Sequence, residues 1–226
     1  MTAAGLDYVS DGRFTLGLGA SGPQVIEGFH GVPYDAPIAR TREIIEICRQ
    51  VWRRERLEYQ GKHYTIPLPA GQGTGLGKPL KIINQPVQKR IPILLAALGP
   101  KNVELAAEAA EGWQPIFYLP EKAHDVWGQA LAAGRAKRDP ALGELDVYAG
   151  PVLAIGDNVE SLREFVKPHL ALYIGGWVPR ARTSTTCWRP DMATEPRRTE
   201  SSSCTWPGTR TAPPRLSQTS WCETST

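Results

Sequence analysis

Three glycines form the first group of residues whose spacing could support chemistry. Gly17, Gly19 and Gly22 match the Gly-x-Gly-x-x-Gly pattern, which lets a backbone approach the pyrophosphate of a dinucleotide at the start of a helix. Pro23 and the irregular segment 28–33 predict no clean helix directly after the glycines, and the expected position of a ribose-binding acid falls inside a helix. We therefore interpret the glycines as a ligand-binding loop at the carboxyl end of a strand, with an NAD-dependent Rossmann enzyme as an alternative.

A second candidate loop, residues 96–102, has the sequence Ala-Ala-Leu-Gly-Pro-Lys-Asn. A strand end, a glycine turn and a helix start bring free backbone N–H groups together here, and such groups bind anions. Lys101 could add a positive charge to a phosphate site at this position. A single lysine in a first helical turn is also commonly just solvated, so both interpretations of Lys101 stay open.

The remaining chemistry-bearing residues lack useful spacing. The four histidines are scattered and no Cys-x-x-Cys or His-Glu-x-x-His motif is present, so the sequence predicts no metal site. Ser21 stands in Gly-Ala-Ser-Gly, which differs from the Gly-x-Ser-x-Gly elbow of hydrolases. These patterns name no catalytic residue.

A regular alternation of strands and helices positions the two loops. Short apolar runs predict buried strands, and apolar residues at helical spacing predict amphipathic helices. The expected strands are 13–19, 91–97, 113–117 and 146–155, and the expected helices are 36–56, 101–110, 120–137 and 157–173, the last kinked or interrupted at Pro168. A long loop is expected over 61–77. This order predicts an α/β protein with a mostly parallel sheet and helical crossovers.

Composition and charge exclude several classes of protein. The 226 residues are 41% hydrophobic, and no apolar run reaches the ~20 residues that span a bilayer. The first residues lack the basic and apolar regions of a signal peptide, so we expect a cytoplasmic protein that is not inserted in a membrane. Residues 1–176 carry 19 basic and 19 acidic side chains, so the net charge of +3 comes from residues 177–226. A neutral folded part disfavours nucleic acid as a partner.

Eight ordered stretches carry a resemblance to a known family. They are Asp-Gly-Arg-Phe-Thr-Leu-Gly-Leu-Gly at 11–19, Ser-Gly-Pro-Gln at 21–24, Ala-Arg-Thr-Arg-Glu at 39–43, Gly-Leu-Gly-Lys at 75–78, Ile-Pro-Ile at 91–93, Gly-Pro-Lys-Asn at 99–102, Glu-Gly-Trp at 111–113 and Ala-Leu-Tyr-Ile-Gly-Gly at 171–176. Together they resemble the luciferase-like monooxygenase superfamily, in particular its deazaflavin-dependent oxidoreductases. The resemblance implies a (β/α)8 TIM barrel that holds a flavin or deazaflavin over the carboxyl ends of its strands.

The same resemblance implies an enzymatic function and a set of site residues. The expected reaction is hydride transfer between coenzyme F420, or alternatively FMN, and a small organic substrate. The loop 21–24 would approach the cofactor ring or ribityl chain, and residues 97–102 would hold its phosphate. The candidate cofactor-binding residues are Gly19, Ser21, Gly22, Gln24, Ala97, Gly99, Pro100, Lys101 and Asn102.

The chain also departs from the family pattern at both ends. The resemblance covers residues 5–176 and begins at what looks like the fourth strand, so we expect residues 1–176 to form a partial barrel without its first three strands and its last. Residues 177–226 hold 11 Thr, 7 Ser and 7 Arg with four Trp and three Cys, and we expect this tail to be disordered. The residues from Trp177 onward can be back-translated into codons that the genetic code permits. When these codons are read one base back, they yield a sequence that resembles the family, so we interpret the tail as a frameshift product.

Two further expectations follow from an incomplete barrel. Its exposed sheet edges favour aggregation or marginal stability, and a homodimer could cover one edge. The alternative function is a non-catalytic binding module whose basic Ser/Thr/Arg tail contacts an acidic partner.

Overall fold

The computed structural model describes residues 1–150, 155–157, 159–171 and 173. The helices are α1 (Thr2–Val9), α2 (Pro23–His30), α3 (Pro37–Trp52), α4 (Pro100–Ala109), α5 (Pro120–Arg135) and α6 (Val159–Ala171), with a short 3₁₀ helix at Pro140–Leu142. The strands are β1 (Leu16–Gly19), β2 (Tyr59–Gln60), β3 (Thr65–Ile66), β4 (Ile93–Ala96), β5 (Gly112–Gln114) and β6 (Asp146–Val147).

Four of these strands form one parallel sheet in the order β1, β4, β5, β6. The spatial order follows the chain order without reversal, as in an arc of a (β/α) barrel. A doubly wound dinucleotide-binding fold would instead reverse its strand order beside the first strand. The chain is therefore an α/β protein with the parallel arc that the sequence predicts, and within the described residues the arc does not close into a full barrel.

Alternation along the strands separates a buried outer face from an open inner face. Ile93 and Leu95 of β4 are buried, whereas Leu94 and Ala96 lie on the opposite, more exposed face. Helices α3, α4 and α5 cover the outer face, where each fully buried large side chain contributes about 1.5–3 kcal/mol. Trp113 of β5 packs edge to face against Trp127 of α5, with ring centroids 5.3 Å apart.

Helix α4 is held closely between its neighbours. A Cβ atom at Gly134 of α5 would lie 2.3 Å from the carbonyl oxygen of Glu104, so only glycine fits without a shift. At the carboxyl end of α4, the guanidinium of Arg138 donates to the carbonyl oxygens of Ala107 and Ala110 at 2.9 and 2.6 Å. These bonds satisfy carbonyl groups that a helix end leaves without partners. The carboxyl end of α4 is thereby fixed against the segment that follows α5.

The four predicted strands and four predicted helices are all present, but with different bounds: the strand expected over 113–117 ends at Gln114, and the helix expected over 36–56 ends at Trp52. The strand expected over 146–155 is shorter, since β6 covers only Asp146–Val147, and residues 151–154 lie outside the described residues. Of the two effects predicted at Pro168, an interruption is wrong, because α6 continues through it to Ala171, whereas a kink stays a prediction. A proline removes a single helical N–H donor, and here the loss falls in the last turn.

The expectation that no helix directly follows the glycine motif is also wrong. Helix α2 begins at Pro23 and ends before Gly31, whose φ of 63° is left-handed. Proline is well suited to the first helical position, because the N–H that it lacks would have no helical partner there. A left-handed glycine is a common helix stop. The missing helix had been the argument against a Rossmann fold. That argument now rests on the strand order β1, β4, β5, β6 instead.

Besides α2, the sequence did not predict helix α1, the short 3₁₀ helix or the hairpin of β2 and β3. The hairpin reaches into the expected loop 61–77, and its tip is held by the buried Glu43 of α3. The Glu43 carboxylate accepts the backbone N–H groups of Lys62, His63 and Tyr64 at 2.9 to 3.2 Å. Burial alone would raise the pKa of Glu43, but these bonds outweigh it and hold the pKa below its ordinary value.

The predicted tail, 177–226, and the boundary at residue 176 lie outside the described residues. In the part of the chain that the structure does describe, no helix combines the length and apolar character needed to cross a membrane.

Candidate functional site

A cavity of about 760 Å³ lies where β1, β4 and β5 end and α4 begins, and we call it the strand-end cavity. Gly22 and Gln24 do not line it, because Gly22 caps α2 and Gln24 lies on the exposed side of that helix. The other proposed site residues line it together: Gly19, Ser21, Ala97, Gly99, Pro100, Lys101 and Asn102. The two candidate loops meet although they are far apart in the chain, since the carboxyl ends of parallel strands share one edge of the sheet.

The amino end of α4 presents backbone donors to this cavity. Gly99 is the N-cap, and its carbonyl oxygen accepts from the N–H groups of Asn102 and Val103 at 3.0 and 2.9 Å. The N–H groups of Gly99 and Lys101 have no partner within the described residues. A Cβ atom added at Gly99 would meet nothing within 4 Å, so the space beside the helix end is open. Free N–H groups and the helix dipole favour an anion at this position.

Asn102 adds a side chain that lacks a partner. Its Oδ1 atom is buried with no hydrogen-bond partner among the described residues, and leaving a buried polar atom unpaired is costly. A half-turn of the carboxamide presents the NH₂ group in its place, which donates to an anion. Because Asn102 lines the strand-end cavity, a change of its rotamer would bring the carboxamide to a ligand bound there.

Lys101 lines the cavity, but its charge is directed elsewhere. The Nζ atom donates to Glu104 at 2.9 Å, and Lys137 contacts the same carboxylate at 2.5 Å. Lys137 and Lys101 together lower the pKa of Glu104 to about 2, so the carboxylate stays charged. Two ammonium groups share this one carboxylate and the Lys101 side chain is 76% exposed, so the lysines add a net positive charge to the potential of the backbone N–H groups at the start of α4.

A second cavity of about 840 Å³ adjoins the first along Gly19, Ala20, Tyr34 and Pro37. Its charged side chains, Asp35 and Arg40, pair with each other at 3.1 Å, which leaves an apolar, nearly neutral lining. The Tyr34 hydroxyl donates to the carbonyl oxygen of Ser21 at 3.1 Å. Burial raises the pKa of Tyr34, so the phenol is neutral at physiological pH. Tyr34 thus forms an uncharged wall between the two cavities.

Several lining residues of the strand-end cavity escaped the sequence analysis, including Tyr34 and Gln114. One signal could have found Gln114. Trp113 belongs to a strand predicted as buried, so its neighbour Gln114 must face the other side of the sheet. The position of Tyr34 offers no such signal, since it lies in the irregular segment between α2 and α3.

Among the described residues, no three or more His, Cys, Asp and Glu side chains are grouped so that they could hold a metal ion. The arrangement instead combines an open inner sheet surface with a donor-rich helix end. These features suit a flat ligand that carries an anionic group.

Comparison with known proteins identifies relatives of the chain. The family model described as luciferase-like monooxygenase matches residues 1–211. A Mycobacterium tuberculosis protein provisionally named a coenzyme F420-dependent oxidoreductase is 47% identical over 182 residues, which cover 78% of this chain and 51% of the relative. The 5,10-methylenetetrahydromethanopterin reductase of Archaeoglobus fulgidus is 28% identical over 175 residues, covering 77% and 48% of the two chains. The chain thus spans about half the length of these curated relatives.

Solved structures share the architecture. The coenzyme F420-dependent tetrahydromethanopterin reductase of Methanopyrus kandleri matches with a TM-score of 0.61 at 24% identity, over 78% of this chain and 51% of that one. A monooxygenase from Streptomyces bottropensis matches with a TM-score of 0.55 at 21% identity, over 77% and 52%. These similarities concern the fold, and they confirm the partial luciferase-like barrel predicted from the sequence.

Proposed function

Because the chain belongs to the luciferase-like monooxygenase family, we propose that it is part of an oxidoreductase that binds coenzyme F420 in the strand-end cavity. In this function a hydride passes between the cofactor and a small organic substrate. The names of the Mycobacterium tuberculosis and Archaeoglobus fulgidus relatives support an oxidoreductase or reductase activity. The observation that carries the proposal is the open, donor-rich start of α4 beside the ends of β1, β4 and β5.

The start of α4 suits the phosphate of the cofactor. The free N–H groups of Gly99 and Lys101 supply donors, and the unpaired carboxamide of Asn102 supplies another. The absence of a side chain at Gly99 leaves the approach to these donors open. Charge-assisted hydrogen bonds of this kind need no ammonium group, which fits the pairing of Lys101 with Glu104.

The ends of β1 and β4 suit the ring of the cofactor. Gly19 pairs with Ala96, and a Cβ atom at Gly19 would lie 3.3 Å from the Cβ atom of Ala96. Both residues are small, so no bulky side chain projects from the inner face of the sheet at this point. A bound deazaflavin ring would supply the carbon that accepts or releases the hydride. Tyr34, as a neutral phenol fixed by its bond to Ser21, would border the ring site without adding charge.

Cofactor titration of the full 226-residue chain tests the proposal. We expect saturable binding of coenzyme F420, followed by its fluorescence, and weaker binding of FMN and NADH. The variant Gly99→Leu should weaken F420 binding about tenfold or more, because its side chain blocks charge-assisted bonds that are worth about 1.5–3 kcal/mol each. Gly28→Leu is the matched control, since Gly28 is exposed on α2 and its added Cβ also meets nothing within 4 Å.

Three outcomes would change the proposal. Equal F420 affinity of wild type and Gly99→Leu would refute the phosphate assignment at α4. Tighter binding of FMN than of F420 would make the protein a flavin enzyme of the same family. Binding of NADH alone would favour the dinucleotide alternative.

A further inference from the structure

Gln114 lies at the edge of the strand-end cavity on the inner face of the sheet. Its register partner is Ala96, and the partner of Ala96 on the other side is Gly19. The preceding residue, Trp113, is fully buried on the opposite face, where its Nε1 atom donates to the carbonyl oxygen of Ala97 at 2.9 Å. Gln114 therefore faces the interior, where it borders both the strand-end cavity and a neighbouring cavity of about 530 Å³.

The row of residues one layer below Gln114 consists of Gly17, Leu94 and Gly112. Gly112 lies one inward-facing position earlier on β5, in register with Leu94. A Cβ atom at Gly112 would lie 2.9 Å from Leu94 Cδ1 and 2.8 Å from Tyr148 Cε2, so these two side chains cover it. Side chains fill barrel interiors in such layers. A flat ligand beside Gln114 would therefore be supported from below by Leu94 and Tyr148, whereas the space over Gly17 stays open.

The row formed by Gly19, Ala96 and Gln114 offers one polar side chain to such a ligand. Gly19 and Ala96 carry no polar side-chain atoms, whereas the carboxamide of Gln114 offers one acceptor and two donor hydrogens. This carboxamide makes no hydrogen bond to any of the residues that the structure describes. Its donor and acceptor stand side by side, so it complements a ring edge on which a carbonyl group stands next to an N–H group.

We propose that Gln114 recognises the imide edge of a bound flavin-type heterocycle, with its carbonyl oxygen accepting from the ring N–H and its NH₂ group donating to a ring carbonyl. Nicotinamide has no ring N–H, so it would meet Gln114 only through its own carboxamide. The identity of the heterocycle rests on the proposed function, and the assignment of Gln114 rests on the register of β5. Gln114 is thus a ring-recognition residue, separate from the phosphate site at Gly99.

Two ligands separate ring recognition from phosphate binding. The probes are coenzyme F420 and its phosphate-free deazaflavin riboside, each titrated by fluorescence against the full chain. Gln114→Leu should weaken both probes by the same factor, about tenfold, as expected for losing one or two hydrogen bonds. Gly99→Leu should weaken F420 alone. Gln129→Leu is the matched control, because Gln129 is exposed on α5 and remote from the cavities.

The outcomes distinguish the two proposals. If wild type binds both probes and Gln114→Leu binds the riboside as wild type does, the assignment of Gln114 is overturned while the proposed function stands. If wild type binds neither probe, both proposals fail. Equal unfolding temperatures of wild type, Gln114→Leu and Gln129→Leu, with a loss of riboside affinity in Gln114→Leu only, support ring recognition.

Discussion

Two glycines of helix α5 should respond in opposite ways to the same substitution. Gly134 is buried against α4, where an added Cβ would lie 2.3 Å from the carbonyl oxygen of Glu104 and 2.6 Å from Ala107 Cβ. Carbon atoms pack favourably at about 3.5–4.0 Å, so alanine at this position requires a displacement of roughly 1 Å. The clashing oxygen belongs to the helical backbone and cannot rotate aside. Helix α5 must therefore move away from α4.

The cost at Gly134 can be set against the gain in helix propensity. Overpacking a close contact costs about 1–3 kcal/mol, whereas Gly→Ala in a helix interior gains up to about 1 kcal/mol. Gly134 is next to the last residue of α5, so its propensity gain is reduced. The net expectation for Gly134→Ala is a loss of about 1–2 kcal/mol. A protein of this size loses about 2–4 °C of Tm for each kcal/mol, which predicts a Tm lower by about 2–8 °C.

Gly128 provides the matched control in the same helix. An added Cβ there would meet the imidazole of His124 at 2.8 Å, but that side chain is exposed and free to take another rotamer. Gly128→Ala should therefore gain about 1 kcal/mol from helix propensity and raise Tm by about 2–4 °C. Thermal and urea unfolding, followed by circular dichroism at 222 nm, measure both changes. A Gly134→Ala variant as stable as wild type, or a shift of both variants in one direction, would refute the proposed closeness of α4 and α5.

Two further predictions concern the hairpin and the tail. Because hydrogen bonds hold the pKa of Glu43 below its ordinary value, the stability contribution of Glu43 should be complete above the unfolded value near pH 4 and should be lost as the pH falls through the lower folded pKa. Amide hydrogen exchange of residues 62–64 measures this, and Glu43→Gln should exchange faster at neutral pH, with the remote amides of α5 unchanged as the control. For the tail, we propose that residues 177–226 are translated out of frame, and we expect sequencing of the gene to reveal a lost base before the Trp177 codon. The proposal would be contradicted if sequencing finds no lost base and if none of the three reading frames after residue 176 encodes a sequence that resembles the family.

Local patterns account for the elements that the sequence predicted correctly. The apolar run ending at Ala97 and the alanine-rich segment after Pro100 carry their periodicity within a few residues, so β4 and α4 could be located without tertiary information. The error at Pro23 has the opposite origin, because one proline signals either a break or a first helical position. The hairpin of β2 and β3 was missed because it depends on the carboxylate of Glu43, which belongs to another element.

The sequence by itself determined the β/α alternation, the two loops that follow β1 and β4, and the family resemblance, because each depends on residue types at short spacing. Only the tertiary structure decided how these parts act together. Strand register placed Gly19, Ala96 and Gln114 in one row, and helix packing brought Lys137, just after α5, to the Glu104 carboxylate of α4. Register and helix packing arise from contacts between residues distant in the chain, and short-range patterns carry no information about such contacts.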